Sequence, residues 1–197
     1  MMVVGLTGGI GSGKTTVANL FNKIANIAIY LADKEAKELM TKSTIIKAQL
    51  ITRFGTECYI NNQLNRAYIA SLVFSNPEKL KQLNAIVHPE VNKHFKAFVA
   101  ANRHKDYILY ENAILFENQS DAFCDIIISV IADKQTRIER VVKRDNATRK
   151  EVLERIDNQW KDIKKALLSN YIILNSNNAK LETQIEEIHK KLTKKKG

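Results

Sequence analysis

Five short apolar runs punctuate the chain: Val3-Val4-Gly5-Leu6, Ile27-Ala28-Ile29-Tyr30-Leu31, Tyr107-Ile108-Leu109-Tyr110, Ile126-Ile127-Ile128-Ser129-Val130-Ile131 and Tyr171-Ile172-Ile173-Leu174. Their hydrophobicity is continuous rather than alternating, which is how strands read when a parallel sheet is covered on both faces. Between the runs, apolar positions recur with helical spacing. Thr15 to Ala25 carries Val17, Ala18, Phe21, Ile24 and Ala25 on one face, and a second helical pattern runs from beyond Asp33 through Met40. The order is β-α-β-α-β-β-β-α, with helical insertions at 44–104 and 135–165 and no internal repeat. This predicts an α/β fold with a five-stranded parallel sheet and helices on both faces. Residues 1–197 would form one domain, its core built from 1–43, 105–134 and 166–190.

Composition narrows the class. With 197 residues, 45% of them apolar, the chain can bury a sizeable core, and two prolines with no Gly/Ser-rich stretch leave no composition for a tethering linker. Cys58 and Cys124 are too few and too isolated for a disulfide framework or a zinc site, so they read as reduced, mostly buried thiols. The start of the chain lacks a basic, apolar leader, and no stretch approaches the roughly 18 apolar residues of a membrane span. The expectation is a cytoplasmic protein without a membrane partner.

The net charge of +10 is unevenly placed. Five lysines and no acid lie between His189 and Gly197, and eleven basic against seven acidic residues lie between Asp133 and Lys165. The first group reads as a frayed tail and the second as one helical segment. Neither is the stripe over a folded face that a nucleic-acid binder would need.

Glycine is concentrated. Gly5, Gly8, Gly9, Gly11 and Gly13 fall near the start, leaving Gly55 and Gly197 for the rest. Gly8-Gly9-Ile10-Gly11-Ser12-Gly13-Lys14-Thr15 fits G-x-x-x-x-G-K-S/T between a predicted strand and a predicted helix, the context in which this motif cradles a nucleoside triphosphate. Backbone N–H groups and the helix N-terminus hold the phosphates, Lys14 meets the β- and γ-phosphates, and the Thr15 hydroxyl can ligate Mg2+. A dinucleotide fingerprint fails at Lys14. A GTPase is disfavoured because no D-x-x-G or N-K-x-D element follows.

Carboxylates at strand ends are candidates for chemistry, since ligands sit beyond those ends in open parallel sheets. Asp33 either orients and deprotonates an acceptor hydroxyl or caps the helix that begins at Lys34. Glu111 can hold Mg2+ through a water, and Asp133 reads as a helix cap. Arg137, Arg140 and Arg144 share one helix face, and Arg155 with Gln159 can extend the row. The row is either a lid over the triphosphate or a solvated face paired with Glu139, Asp145 and Glu151. Tyr59, Tyr68, Phe74, Phe95 and Phe98 read as core of the first insertion, His88 as a cap or substrate contact, and His94, His104 and His189 as surface residues.

With these residues in place, the chain resembles the dephospho-coenzyme A kinases over nearly its whole length. The resemblance is carried by Gly5 to Thr16, Ala32-Asp33, Leu64-Asn65-Arg66 with Val73-Phe74, His88-Pro89, Glu111 to Glu117, Arg140, Arg144-Asp145, Arg155-Ile156 with Gln159, and Asn175-Ser176. Leu31, Asn65, Glu111, Ala113 and Asn177 depart from the family pattern. The resemblance implies a nucleoside-monophosphate-kinase-like P-loop fold with a helical acceptor-binding insertion at 44–104 and a mobile lid at 135–165.

What the resemblance implies for function is transfer of the γ-phosphoryl group of ATP to the ribose 3′-hydroxyl of dephospho-coenzyme A. Asp33 would be the base, with Lys14 and Arg140 neutralising the transferring group. Gly9, Gly11, Ser12, Gly13, Lys14, Thr15, Thr16 and Arg144 would bind nucleotide, and Asp33, Arg66, His88 and Leu115 the acceptor. Mg2+ would be held by Thr15 and, through water, Glu111. Small-molecule partners are implied, in a monomer or weak homo-oligomer. A nucleoside monophosphate kinase shares the loop, insertion and lid, and a nucleic-acid-associated ATPase is motivated by the charge and the lysine tail.

Overall fold

The computed structural model describes residues 1–73, 76–176 and 180–194. In chain order its elements are β1 (Val3–Thr7), α1 (Lys14–Ile24), β2 (Ala28–Leu31), α2 (Ala32–Lys42), α3 (Thr44–Phe54), β3 (Tyr59–Ile60), β4 (Gln63–Leu64), α4 (Arg66–Val73) and α5 (Pro77–Ala101). Then come β5 (Ile108–Glu111), β6 (Ile126–Ile131), α6 (Lys134–Asp145), α7 (Arg149–Asp157), α8 (Asp162–Leu167), β7 (Tyr171–Leu174) and α9 (Leu181–Lys194). Contacts divide them into two compact units, one of Met1–Leu31 with Asn102–Gly197 and one of Ala32–Ala101.

The first unit holds the five predicted strands in one parallel sheet, ordered β2-β5-β1-β6-β7. Successive side chains of a strand point to opposite faces, so a strand covered on both faces, such as β1, β5 or β6, is apolar on both, while the edge strand β7 leaves Ile172 and Leu174 exposed. In β1, Val4 and Leu6 face α1 and α9, where they join Val17, Phe21, Leu109, Ile128, Val130, Ile185 and Leu192 in one buried cluster. Gly5 faces the other way, beneath Leu115 and Cys124, and α8 packs against β6. Each fully buried side chain such as Phe21 or Leu6 contributes roughly 1.5–3 kcal/mol of apolar transfer.

The C-terminal segment corrects one expectation. Residues 189–194, read as part of a frayed tail, continue α9, because Ile185, Ile188 and Leu192 recur on one face and bury against the sheet. His189 is half-buried rather than a plain surface residue: its Nδ1 lies 3.1 Å from the Tyr107 hydroxyl. Lys195 to Gly197, the rest of that tail, lie outside the described residues.

The second unit is helical, with α3, α4 and α5 across the first insertion. Its core gathers Ile46, Leu50, Cys58, Ile69, Leu83, Val87 and Val91, with Ala36, Leu39 and Met40 of α2 packed against them. That packing moves the boundary forward from the expected 44 to Ala32. Tyr59 and Tyr68 behave as core aromatics whose hydroxyls donate to Met40 O and Phe54 O, and Phe95 is buried. Phe74 lies outside the described residues. His94 is half-buried, 3.8 Å from the Glu35 carboxylate.

A small antiparallel hairpin, β3 with β4, is an element the apolar pattern did not reveal. Its signal was Asn61-Asn62, both with left-handed φ (49° and 64°), the turn that a two-residue hairpin prefers. Among the described residues no helix is long and apolar enough to cross a membrane. Both cysteines are free, Cys58 buried and Cys124 half-buried.

Candidate active site

The phosphate loop leaves β1 and enters α1 at Lys14, one residue before the expected helix start. Gly13 is the N-cap residue and is left-handed (φ 91°), a conformation that costs glycine nothing. A side chain there would also collide with Asn175. At Gly9 a side chain would run into Arg137 and Asp162. The glycines are therefore required as much by protein groups pressed against the loop as by any ligand within it.

Lys14 is largely buried, and its ammonium donates to Gly8 O at 3.0 Å and to Gly9 O at 3.4 Å. Ser12 N–H closes the loop onto Gly9 O at 3.1 Å. Thr15 and Thr16 are exposed in the first turn of α1. Gly11, Gly13, Lys14, Thr15, Thr16, Arg140, Val141 and Arg144 line a cleft of about 330 Å³. The fold thus brings together most of the residues expected to bind nucleotide.

The three arginines of α6 separate by role. Arg140 donates to Asn175 O at 3.3 Å, and its Nη1 is buried with no acceptor among the described residues. Arg144 lies along the cleft and forks onto Asp145, at 2.7 and 3.0 Å, which also accepts from Arg155. The Arg144 bond leads the interactions that hold the Asp145 carboxyl below its usual range. Arg137 departs from the expected lid row. It is 6% exposed, paired with Asp162, and donates through Nε to Ile10 O at 2.8 Å. Spacing put it on the same face as Arg140, but Asp162 and the loop backbone engage it instead. Asp133 is the α6 N-cap, accepting from Thr136 N–H at 2.8 Å, and this bonding lowers its pKa.

Glu111 ends β5 in register with Leu6 of β1. Its neighbour Asn112 is buried, with Oδ1 accepting from Ile114 N–H at 3.0 Å. Leu115, expected among the acceptor contacts, is fully buried over Gly5, so its side chain belongs to the core. Glu117 pairs with Lys165 at 2.8 Å, and the same ammonium donates to Ala113 O at 2.6 Å.

The remaining acceptor candidates lie in the second unit. Asp33 is exposed inside the first turn of α2, which starts at Ala32, so the cap reading for a helix beginning at Lys34 fails. Its charge there suits the helix dipole. Arg66 is exposed at the first position of α4, and His88 is half-buried in α5, where burial lowers its pKa. Asn177, one of the departures, lies outside the described residues. Spacing missed Asn175 as a site residue: it donates to Ser12 O, and nothing local to β7 signals that partner.

Nucleotide and metal fit these groups. A phosphate oxygen would serve as an acceptor for the Arg140 Nη1, which is buried without one among the described residues, and the Ser12 hydroxyl is likewise buried there without a partner. Among the described residues no group of three or more His, Cys, Asp or Glu gathers. A divalent ion would then rest on the Thr15 hydroxyl and phosphate oxygens and, through water, on Glu111, the hard-oxygen, water-retaining mode that suits Mg2+.

A parallel sheet with a phosphate loop at the end of its central strand and cationic side chains lining the cleft defines a P-loop kinase. The dephospho-CoA kinase family matches residues 2–181. A dephospho-CoA kinase of Chlorobium chlorochromatii is 38% identical over 89% of this chain and 85% of its own, and one of Bacteroides fragilis 33% identical over 94% and 90%. The solved structure of TT1252 from Thermus thermophilus superposes with a TM-score of 0.82 at 29% identity, covering 98% of this chain and 97% of its own. The chain belongs to the dephospho-CoA kinase family. It is an enzyme, a kinase of the final step of coenzyme A biosynthesis, and the nucleoside monophosphate kinase and nucleic-acid ATPase readings fall away.

Proposed function

We propose that the enzyme transfers the γ-phosphoryl group of ATP to the ribose 3′-hydroxyl of dephospho-coenzyme A, giving coenzyme A and ADP. The observation that carries this reading is the buried Arg140 Nη1, without a partner among the described residues, beside a loop whose Lys14 ammonium is already gathered inward. Both cations lie along one cleft, where they would neutralise charge spreading over three phosphoryl oxygens.

The acceptor oxygen attacks phosphorus as the bond to the β-γ bridging oxygen breaks, and Asp33 takes the hydroxyl proton. Lys14 and Arg140 stabilise the transferring group, while Thr16 and the loop amides orient the phosphates. Thr15 and, through water, Glu111 would hold Mg2+, which would supply charge neutralisation at the phosphates when bound. Arg66 and His88 contact the acceptor, and residues 135–165 exclude water as a lid. A cytoplasmic location belongs to the same proposal, supported by the two free thiols.

The test is a product assay with ATP, Mg2+ and dephospho-coenzyme A, following coenzyme A by mass. Asp33→Asn should lower turnover by about a hundredfold or more with ATP binding retained, the range for a positioned general base. Near-normal turnover of that variant would remove Asp33 from its role.

A further inference from the structure

We infer that Gln159 is a positioning residue for phosphoryl transfer, acting on Lys14 through the peptide bond between Gly9 and Ile10. This rests on the reading that the loop holds ATP. Ile10 stands at the apex of the phosphate loop, and both of its backbone polar groups are gripped from 135–165. Its N–H donates to Gln159 Oε1 at 2.8 Å, and its carbonyl accepts from Arg137 Nε at 2.8 Å. Its side chain packs with Ile138, Val141 and Val152.

Peptide planarity turns these grips into orientation. In a trans peptide the C=O and N–H point in opposite directions, so holding the Ile10 N–H toward Gln159 turns the Gly9 carbonyl the other way. That carbonyl accepts from the Lys14 ammonium and from Ser12 N–H, at 3.4 and 3.1 Å. Arg137, by holding the Ile10 carbonyl, likewise turns the Gly11 N–H away from itself. Gly9 and Gly11 flank the apex and offer little intrinsic resistance to a peptide flip. The grips supply that resistance.

Gln159 is itself fixed. The next residue, Trp160, donates its N–H to Glu117 Oε1 at 3.0 Å, stacks on Phe116, and lies under the Lys164 ammonium. Glu117 is anchored by the buried Lys165. Helical spacing makes Gln159 an extension of an arginine row, whereas the structure makes it an acceptor for one backbone donor.

The experiment compares Gln159→Ala with Gln159→Glu, which keeps an oxygen acceptor. ATP affinity with Mg2+ is read by calorimetry, turnover by coenzyme A formation, and the loop by hydrogen exchange at the Ile10 amide. Gln159→Ala should weaken ATP binding about tenfold, the effect of one lost hydrogen bond to a half-buried donor, and lower kcat by at least as much. It should speed Ile10 exchange and leave KM for the acceptor within about twofold. Gln159→Glu should restore ATP affinity to within about threefold of the parent. Unchanged ATP affinity and Ile10 exchange in Gln159→Ala would overturn the assignment, as would equal losses in both variants. Should the parent enzyme bind ATP yet make no coenzyme A, the proposed acceptor fails, and the ATP-binding comparison still decides the role of Gln159.

Discussion

Asn175 Nδ2 donates to the carbonyl of Ser12 at 2.7 Å, so the residue that follows β7 holds the phosphate loop from 163 positions away. The bond is buried, and the Asn175 carbonyl accepts from Arg140 in turn. One side chain and its own backbone thus connect the loop to the helix that supplies its cation.

Replacing that amide should be felt in stability and in nucleotide binding together. Asn175→Asp keeps the shape but sets a carboxylate against a carbonyl, and Asn175→Ala leaves the carbonyl without its donor. Either should cost about 2 kcal/mol, or about 5 °C in Tm for a chain of this size. ATP affinity should fall in parallel. A Tm and an affinity both equal to the parent's would contradict the link.

Arg140 should show the opposite balance. Its Nη1 is buried without an acceptor among the described residues, which burdens the free protein, so Arg140→Met should leave Tm equal or higher. Turnover should fall by about a thousandfold, as when an arginine that meets a transferring phosphoryl group is removed. Turnover within about tenfold of the parent would mean that Arg140 does not reach that group.

Lys165 and Glu117 form an ion pair with the ammonium 1% and the carboxylate 15% exposed. Lys165→Met should destabilise by about 3 kcal/mol, because it strands a half-buried carboxylate. The double variant Lys165→Met with Glu117→Leu should recover most of the loss. Urea denaturation of the three proteins measures the coupling, and simple additivity would argue against the pair.

Cys124 has its thiol pKa pushed up to about 12, by burial first and then by Asp121 and Asp125. The unfolded thiol loses its proton near pH 9, so above that pH the unfolded state binds fewer protons than the folded one. Stability should therefore fall as pH rises from about 9 to 12, by up to about 1.4 kcal/mol per pH unit from this group. Cys124→Ser should flatten that slope. At pH 8 neither thiol should react with a disulfide reagent on the timescale of mixing, and both should react in denaturant.

Much of the fold was legible. β1, β5 and β6 announce themselves as continuous apolar runs because a strand covered on both faces leaves little room for polar positions to alternate, whereas the edge strand β7 keeps an apolar run with Ile172 and Leu174 exposed. Gly8 to Thr15 announces the phosphate loop because a nest of backbone amides is a local object, written in adjacent residues. Asp133 was readable as a cap for the same reason: its partner, Thr136, is three residues away. The β3–β4 hairpin was equally local, but two-residue strands carry too little periodicity to stand out.

What the sequence by itself determined is a nucleotide-binding kinase with its cradle at the first strand–helix junction. Only the tertiary structure decided which cations serve that cradle. Arg137 and Arg140 are one face of one helix, and spacing cannot separate them. Asp162, twenty-five residues later, takes the first, and no group among the described residues takes the second's Nη1. Gln159, Asn175 and His189 follow the same rule, each defined by a partner more than eighty residues away. Periodicity encodes the direction in which a side chain leaves its helix; the groups it meets there are set by packing between distant segments.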